Sequence, residues 1–302
     1  MNGGMINLRL SYATAVELGL KKGKIDFPNY TAYLMIGEKC LFNCAYCAQA
    51  RDAQSNADLL SRIKWPEISL DTFKSIFIPT KFKRICIQVV SSLDYWIKLN
   101  ELLSFLKEKE IPISVSIRPR NIEEVRTLFK KYNIDRVGIA IDVANKDLFS
   151  KIRGGKYEFY EKILINASNE FPNRITTHII VGLGETDENI IDLLLKMKKA
   201  KILVSLFSFT PIKGTKFEGL LPPSLSRYRK IQIARDIILQ HDVEKDNFLF
   251  DSKGNLQKLP EVEVDMEEAK KTSGCPWCTR PFYNEKPTEE PYNIPIPRHI
   301  NL

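Results

Sequence analysis

The chain has 302 residues, 44% of them apolar and 27% charged, and carries a formal net charge of +8. That balance excludes a disordered chain and is ordinary for a soluble globular protein; the length suits a single α/β barrel with appended segments. No apolar run approaches the roughly 18 residues of a membrane span.

The first residues, Met1-Asn2-Gly3-Gly4-Met5, lack the apolar core of a signal peptide, so a cytoplasmic location without membrane attachment is expected. In a reducing cytoplasm the six cysteines point to metal binding or catalysis rather than disulfides. The positive charge permits an acidic partner, but the lysines are scattered, as on a solvated surface.

In chain order, Ser11 to Leu20 reads as a short amphipathic helix and Thr31 to Ile36 as a buried strand. Arg84 to Val90 is a second apolar strand. Leu93 to Lys109 has Trp96, Leu99, Leu102, Leu103 and Leu106 at helical spacing. Ile113 to Ile117 is a strand, and Asn121 caps a helix reaching Tyr132. Val137 to Ile141 is a strand ending at Asp142, with helical stretches to about Glu170. Ile175 to Val181 is a strand that ends in Gly182-Leu183-Gly184-Glu185-Thr186. Asp187 to Lys199 is a helix, Ile202 to Phe209 a strand and Ser224 to Gln240 a helix. Asn247 to Phe250 reads as a last strand, and the acidic stretch Glu261 to Lys270 as helical.

Repeated strand–helix units joined by short loops predict an α/β fold, a TIM-type (βα) barrel, complete or partial. The expected layout is an N-terminal helical extension over residues 1–30, a barrel over 31–250 and a C-terminal segment over 251–302. Pro281, Pro287, Pro291, Pro295 and Pro297 preclude a regular helix or central strand in that tail. It is read as an extended strap across the barrel mouth, ordered by Trp277, Phe282, Tyr283 and Tyr292. Barrel chemistry sits at the C-terminal ends of strands, which would put Cys40, Cys44, Cys47, Asp142 and the Gly-Leu-Gly-Glu turn on one face.

The most informative stretch follows the first buried strand. Cys40, Cys44 and Cys47 fall at the spacing C-x3-C-x2-C. Thiolates are the ligands of iron–sulfur cubanes, which take four; three here leave one iron open. The competing reading pairs Cys44 and Cys47 with Cys275 and Cys278 as a zinc ribbon. Ribbons bring their knuckles from within roughly 20 residues, and Cys40 would be left over.

With Tyr46 just before the last cysteine, this loop resembles that of the radical S-adenosylmethionine (SAM) superfamily. The resemblance implies a [4Fe–4S] cluster on Cys40, Cys44 and Cys47, with SAM on the open iron and cleaved to a 5′-deoxyadenosyl radical. Tyr46 and Ile180 would contact the adenine of SAM, Asp142 would engage its polar groups, and Val181 would also belong to the cofactor site. Between about residues 30 and 240 the chain is similar to biotin synthase and its relatives. The likeness is carried by Arg84-Ile85-Cys86, by Ile180 to Thr186, by Asp142 and by Lys213-Gly214-Thr215.

Two departures argue against biotin synthase itself. Ser114-Val115-Ser116-Ile117 and Thr176-Thr177-His178 hold no cysteine, and Phe248 to Ser252 lacks that family's ligand arginine. Cys86, Cys275 and Cys278 remain. If the tail folds over the mouth, they converge on a second, auxiliary [4Fe–4S] cluster suited to sulfur donation.

With the tail Gly274 to Glu285, the pattern resembles the biotin-synthase-like subunits of two-protein lipoyl synthases. That resemblance implies attachment of sulfur, at C8 rather than C6, to an octanoyl group on a lysine of a carrier. The implied partners are a lipoyl-domain or glycine-cleavage H-type carrier protein, the other synthase subunit and an electron donor such as ferredoxin. The alternatives are a Cys86 that is simply a small buried side chain, and a tail pair that is redox-active or binds zinc. A different radical SAM reaction, such as methylation, rearrangement or RNA modification, also stands. No basic, aromatic-interleaved module of the nucleic-acid-binding kind is present to favour RNA. Of the histidines, His178 lies where it can line the cavity, while His241 and His299 read as structural.

Overall fold

The computed structural model describes residues 6–25, 27–271 and 273–278. Met1 to Met5 and the proline-rich stretch with Phe282, Tyr283, Tyr292 and His299 lie outside the described residues. The chain packs as two compact units. Of the described residues, one comprises those within 6–138, 211–219 and 275–278, the other those within 139–210 and 220–274.

The first unit runs β1 (Asn7–Leu10), α1 (Tyr12–Glu17), β2 (Thr31–Ile36), β3 (Leu59–Leu60), β4 (Ile63–Lys64), β5 (Glu67–Ser69) and α2 (Leu70–Ile76). It continues with β6 (Arg84–Val89), α3 (Tyr95–Leu106), β7 (Ile113–Ser116), α4 (Ile122–Tyr132) and β8 (Arg136–Gly138). Strands lie in the order β5-β1-β2-β6-β7-β8. β2, β6, β7 and β8 are parallel, whereas β1 runs antiparallel to both β2 and β5.

The β1 and β5 edge was not expected. The sequence reading placed only a helix in the first 30 residues. Ile6-Asn7-Leu8-Arg9-Leu10 alternates apolar and polar, the signature of a half-buried strand. The helix that was expected is shorter than read; the Ser11 side chain caps its N-terminus by accepting from Thr14 N at 3.3 Å.

Successive strand residues face opposite sides of a sheet. One side of the parallel strands carries Ala32, Leu34, Ile36, Ile85, Ile87, Val115 and Val137, all at most 1% exposed. The buried residues of α3, Leu99, Leu102, Leu103 and Leu106, belong to the same core. Fully burying each such side chain favours folding by about 1.5–3 kcal/mol. The other side carries Thr31, Tyr33 and Met35 on β2, Arg84, Cys86 and Gln88 on β6, and Ser114 and Ser116 on β7. Register aligns them in rows: Tyr33 opposite Cys86 opposite Ser114, then Met35 opposite Gln88 opposite Ser116. A face this polar on a central parallel sheet is built for chemistry rather than packing.

The second unit holds α5 (Lys146–Ile152), α6 (Tyr157–Glu170), β9 (Ile175–Val181), α7 (Asp187–Lys199), β10 (Leu203–Ser208) and α8 (Leu225–Gln240). β9 and β10 are parallel. β11 (Leu249–Phe250) and β12 (Leu256–Lys258) follow, then α9 (Met266–Ala269). The expected last strand at Asn247 to Phe250 is thus one arm of an antiparallel hairpin. Its turn closes where the Asp251 carboxylate accepts from Lys253 N and Asn255 N, each at 2.9 Å.

The strand expected to reach Ile141 ends at Gly138 instead. Here the Thr177 hydroxyl donates to Ile139 O at 2.8 Å and accepts from Ile141 N at 3.1 Å, replacing ladder bonds with side-chain ones. The fold is α/β with a mostly parallel sheet, consistent with a partial barrel. Among the described residues no helix is long and apolar enough to cross a membrane.

Candidate active site

The cysteine loop leaves β2 through Gly37, whose φ of +86° favours glycine. A Cβ there would lie 2.3 Å from Val90 O. Backbone bonds then fix the loop at both ends: Leu41 N to Ser91 O at 2.9 Å, Arg51 N to Phe42 O at 2.8 Å and Cys40 N to Gln49 O at 3.3 Å.

Buried Arg9, on β1, ties the two ends together. Its Nη2 donates to Gly37 O at 2.7 Å and its Nη1 to Gln49 Oε1 at 3.0 Å and to Ala57 O. Burial lowers the Arg9 pKa, and Glu67, Asp58 and Glu38 oppose that shift. The sequence reading missed Arg9 because its role comes from β1 lying alongside β2. The segment after β10 closes the other flank: Gln54 N donates to Gly214 O at 2.7 Å, and Phe217 N to Ala45 O at 3.0 Å. Gly214, within the Lys213-Gly214-Thr215 match, has φ +84°, and a Cβ there would meet Ser55 N at 2.4 Å.

Cys40, Cys44 and Cys47 form no disulfide and are partly exposed. Cys40 packs against Met35, Trp65 and Val90. Cys44 and Cys47 line a cavity of about 310 Å³ with Asn43, Gln54, Thr215 and Lys216, at the small end of the range for ligand sites. Tyr46 is half-buried in the turn closed by Cys47 N to Cys44 O at 3.2 Å.

Two of the sulfurs already accept N–H donors. Phe42 N points at Cys40 Sγ at 3.4 Å, and Arg118 Nη1 at Cys44 Sγ at 3.9 Å. Among the described residues no three His, Cys, Asp or Glu side chains converge on one ion position. Three cysteines on one short loop match the thiolate donor set of an iron–sulfur cubane, one ligand short of four. Cys40, Cys44 and Cys47 therefore fit an iron–sulfur cluster.

The tail cysteines lie elsewhere in the same unit. The turn Cys275 to Cys278, closed by Cys278 N to Cys275 O at 3.1 Å, docks on the starts of β2 and β6. Thr31 Oγ1 donates to Trp277 O at 2.6 Å, and Arg84 Nε to Pro276 O at 2.9 Å. Tyr30 meets Trp277 edge-on at 5.5 Å. Thr31 and Arg84 offer their donors at the N-terminal ends of the strands, and the turn's carbonyls accept there; the strap expected across the mouth lies outside the described residues.

The turn nevertheless meets the polar face beside Cys86. Tyr33, opposite Cys86 in register, donates its hydroxyl to Cys278 Sγ at 3.5 Å. Ser114, on the other side of Cys86, hydrogen-bonds Cys275 and accepts from Arg84 Nη1 at 2.7 Å. Cys86 Sγ itself accepts from Gln88 Nε2 at 3.1 Å. Burial pushes the Cys275 thiol pKa up; the Ser114 hydrogen bond pulls it back, Cys278 adds to the rise, and Arg84 and Arg136 oppose it.

In the second unit, Asp142, at φ +61°, pairs with β9 through its backbone. Asp142 N donates to His178 O at 2.7 Å and Ile180 N to Asp142 O at 2.8 Å, so Asp142 and Ile180 are brought together. The Asp142 carboxylate also accepts from Arg153 Nε at 2.7 Å, a partner the sequence did not announce. Val181 is buried at the end of β9. His178 packs its ring against Phe207 at 5.0 Å, and His241 Nε2 bonds Glu263 O at 2.9 Å.

The Gly-Leu-Gly-Glu turn is folded by its own glutamate, whose carboxylate accepts from Gly182 N at 2.7 Å and Leu183 N at 2.8 Å. Arg227 bridges Glu185 and Asp187, at 3.2 and 2.7 Å. Burial raises the Glu185 pKa, with the turn amides and Arg227 pulling against it.

A family profile described as Radical SAM superfamily matches residues 34–197, more than half of the chain and inclusive of the cysteine loop. The chain belongs to the radical SAM superfamily. Membership implies the [4Fe–4S] cluster and SAM as cofactors.

Solved radical SAM structures share the fold. SuiB of Streptococcus suis has a TM-score of 0.54 at 18% identity, over 77% of this chain and 50% of that one. HydG, a maturase of the [FeFe]-hydrogenase, has a TM-score of 0.54 at 11% identity, over 75% and 56%. A radical SAM methyltransferase from Sphaerobacter thermophilus has a TM-score of 0.52 at 14% identity, over 72% and 65%. An uncharacterised protein of Methanocaldococcus jannaschii is 28% identical over 100 residues, covering 32% of this chain and 26% of that protein. The chain thus spans about a quarter of that relative and about half of SuiB.

Proposed function

We propose that this radical SAM enzyme inserts sulfur into an unactivated acyl chain, as one subunit of a two-protein lipoyl synthase. The substrate is an octanoyl-lysine on a lipoyl-domain or glycine-cleavage H-type carrier protein, and the carbon is C8 rather than C6. The partners are the other synthase subunit and a ferredoxin-type electron donor in the cytoplasm.

The observation that carries this reading is the second cysteine set at the foot of the polar face that has the Cys40–Cys47 loop at its head. From Thr31 to Ile36 the backbone rises about 17 Å at roughly 3.3 Å per residue. A chain laid along that face would meet both groups. When bound, the cluster and SAM supply the radical, and an auxiliary cluster on Cys86, Cys275 and Cys278 supplies sulfide. The protein's own part is positional. Arg9, Gly37 and Gly214 set the loop that carries Tyr46, and in the second unit Asp142 and Ile180, joined by backbone bonds, would serve SAM, with Val181 buried behind them.

The test is iron and sulfide content with Mössbauer spectroscopy on reconstituted wild type and on a Cys86/Cys275/Cys278→Ala triple variant. The expected result is about eight irons in wild type and about four in the variant, as two cubanes require. About four in both would remove the sulfur donor and sink the lipoyl reading.

A second reading has support of its own. The tail turn is held by Thr31, Arg84 and Tyr33 through bonds that need no metal, as a purely structural latch would be. The enzyme would then run another radical SAM reaction, such as methylation, rearrangement or RNA modification. The solved relatives named above span several chemistries on this fold, which by itself chooses none of them.

A further inference from the structure

Arg118 stands just past the end of β7, on the side of the sheet where the cysteine loop sits. It is a cation only 8% exposed. Its guanidinium carbon lies 3.5 Å from the centroid of the Phe42 ring, and its Nη1 reaches Cys44 Sγ at 3.9 Å. Phe42 is inside the ligand loop, between Cys40 and Cys44. One planar cation therefore stacks on the loop's aromatic residue while directing an N–H at one of its sulfurs. Neither the spacing of the cysteines nor the resemblance to known families singled this residue out.

We infer that Arg118 is a positioning residue that fixes the ligand loop through Phe42 and raises the potential at which the cluster on that loop accepts its electron. The physical case has two parts. Taking up one electron makes the cluster and its thiolates one unit more negative, and a fixed cation nearby stabilises that form over the oxidised one. The attraction is strong because the site is only partly hydrated, and hydrogen bonds to ligand sulfur act in the same direction. Stacking supplies the second part. A guanidinium lies flat on an aromatic face and still aims an N–H sideways, whereas a lysine keeps the charge and loses the planar fit. The inference rests on superfamily membership and is independent of sulfur insertion.

The experiment is a dithionite titration followed by electron paramagnetic resonance. It compares reconstituted full-length wild type with Arg118→Lys, Arg118→Gln and Phe42→Leu, with iron content and SAM affinity measured alongside. The expected order of midpoint potentials is wild type highest, Arg118→Lys lower and Arg118→Gln lowest, at unchanged iron content. Phe42→Leu, which keeps the charge and frees the guanidinium, should fall below wild type by less than Arg118→Gln does. A Gln variant that titrates at the wild-type potential overturns the inference. So does a SAM affinity that collapses while the potential stays put, since Arg118 would then be a cosubstrate contact. If the Gln variant does not retain iron, Phe42→Leu decides: a wild-type potential there removes the proposed role.

Discussion

The two cysteine sets of the first unit are built in opposite ways. Cys40, Cys44 and Cys47 come from a single loop, held by backbone bonds and by the buried arginines Arg9 and Arg118. Cys275 and Cys278 reach the face that carries Cys86 from across the chain, with Arg84 bonding a carbonyl 192 residues away and Thr31 one 246 residues away. The first set is local in sequence and survives as long as its loop does. The second exists only while the tail turn stays docked. A local site announces itself in residue spacing; an assembled one depends on contacts that spacing does not encode.

The largest expected effect comes from breaking the local site at its entry. Gly37→Ala places a side chain at a left-handed φ, costing about 1–2 kcal/mol. It also drives a Cβ to 2.3 Å from Val90 O, which must be relieved by a backbone shift of the kind that costs about 1–3 kcal/mol. Urea unfolding should show a loss near 3 kcal/mol, with less iron retained on the Cys40–Cys47 loop. Wild-type stability in this variant would mean that the loop tolerates another path out of β2.

A smaller effect is expected from undocking the assembled site. Arg84→Met removes the donors to Pro276 O and Ser114 Oγ and the 2.6 Å ion pair with Asp135. Losing such bonds costs about 1–3 kcal/mol. More telling is thiol reactivity in the iron-free protein. Cys278, 8% exposed in the docked turn, should label faster in the variant, with the Cys40–Cys47 thiols unchanged. Equal rates at Cys278 would show that Thr31 and Tyr33 suffice to hold the turn.

Local pattern made most of the fold legible. Thr31–Ile36, Ile175–Val181 and Asp187–Lys199 lie where apolar periodicity and caps place them. The metal loop was legible because thiolate spacing is itself the chemistry. What escaped was tertiary. The antiparallel β1 edge and Arg9 become meaningful only once β1 is paired with β2. Arg118 reads as an ordinary residue after a strand until it lies over Phe42. Arg153, buried against Asp142, caps the C-terminal end of α5, with no spacing rule linking the two. The Cys275–Cys278 turn docks at the N-terminal ends of β2 and β6, a place that its own composition does not encode; the proline-rich stretch after it lies outside the described residues. Of the donors that hold the turn, Thr31 looks unremarkable in sequence, and Arg84 stands out only as the neighbour of Cys86.

The second unit offers the subtlest contrast with the cysteine loop, because its glycine turn is folded by a buried charge rather than by backbone pairing. Desolvation raises the Glu185 pKa above its ordinary value of 4.5. The unfolded chain therefore ionises first as pH rises. The stability this carboxyl contributes is complete below its unfolded pKa and declines as pH climbs through the raised folded value. Glu185→Gln, which cannot ionise, removes that dependence. Wild type should lose stability relative to the variant from about pH 4.5 upward and level off once the folded carboxyl has ionised, as read from urea midpoints at a series of pH values. The opposite trend, wild type gaining on the variant with rising pH, would mean that the ion pair with Arg227 and the amides of Gly182 and Leu183 outweigh burial. The turn would then be held together by its charge rather than in spite of it.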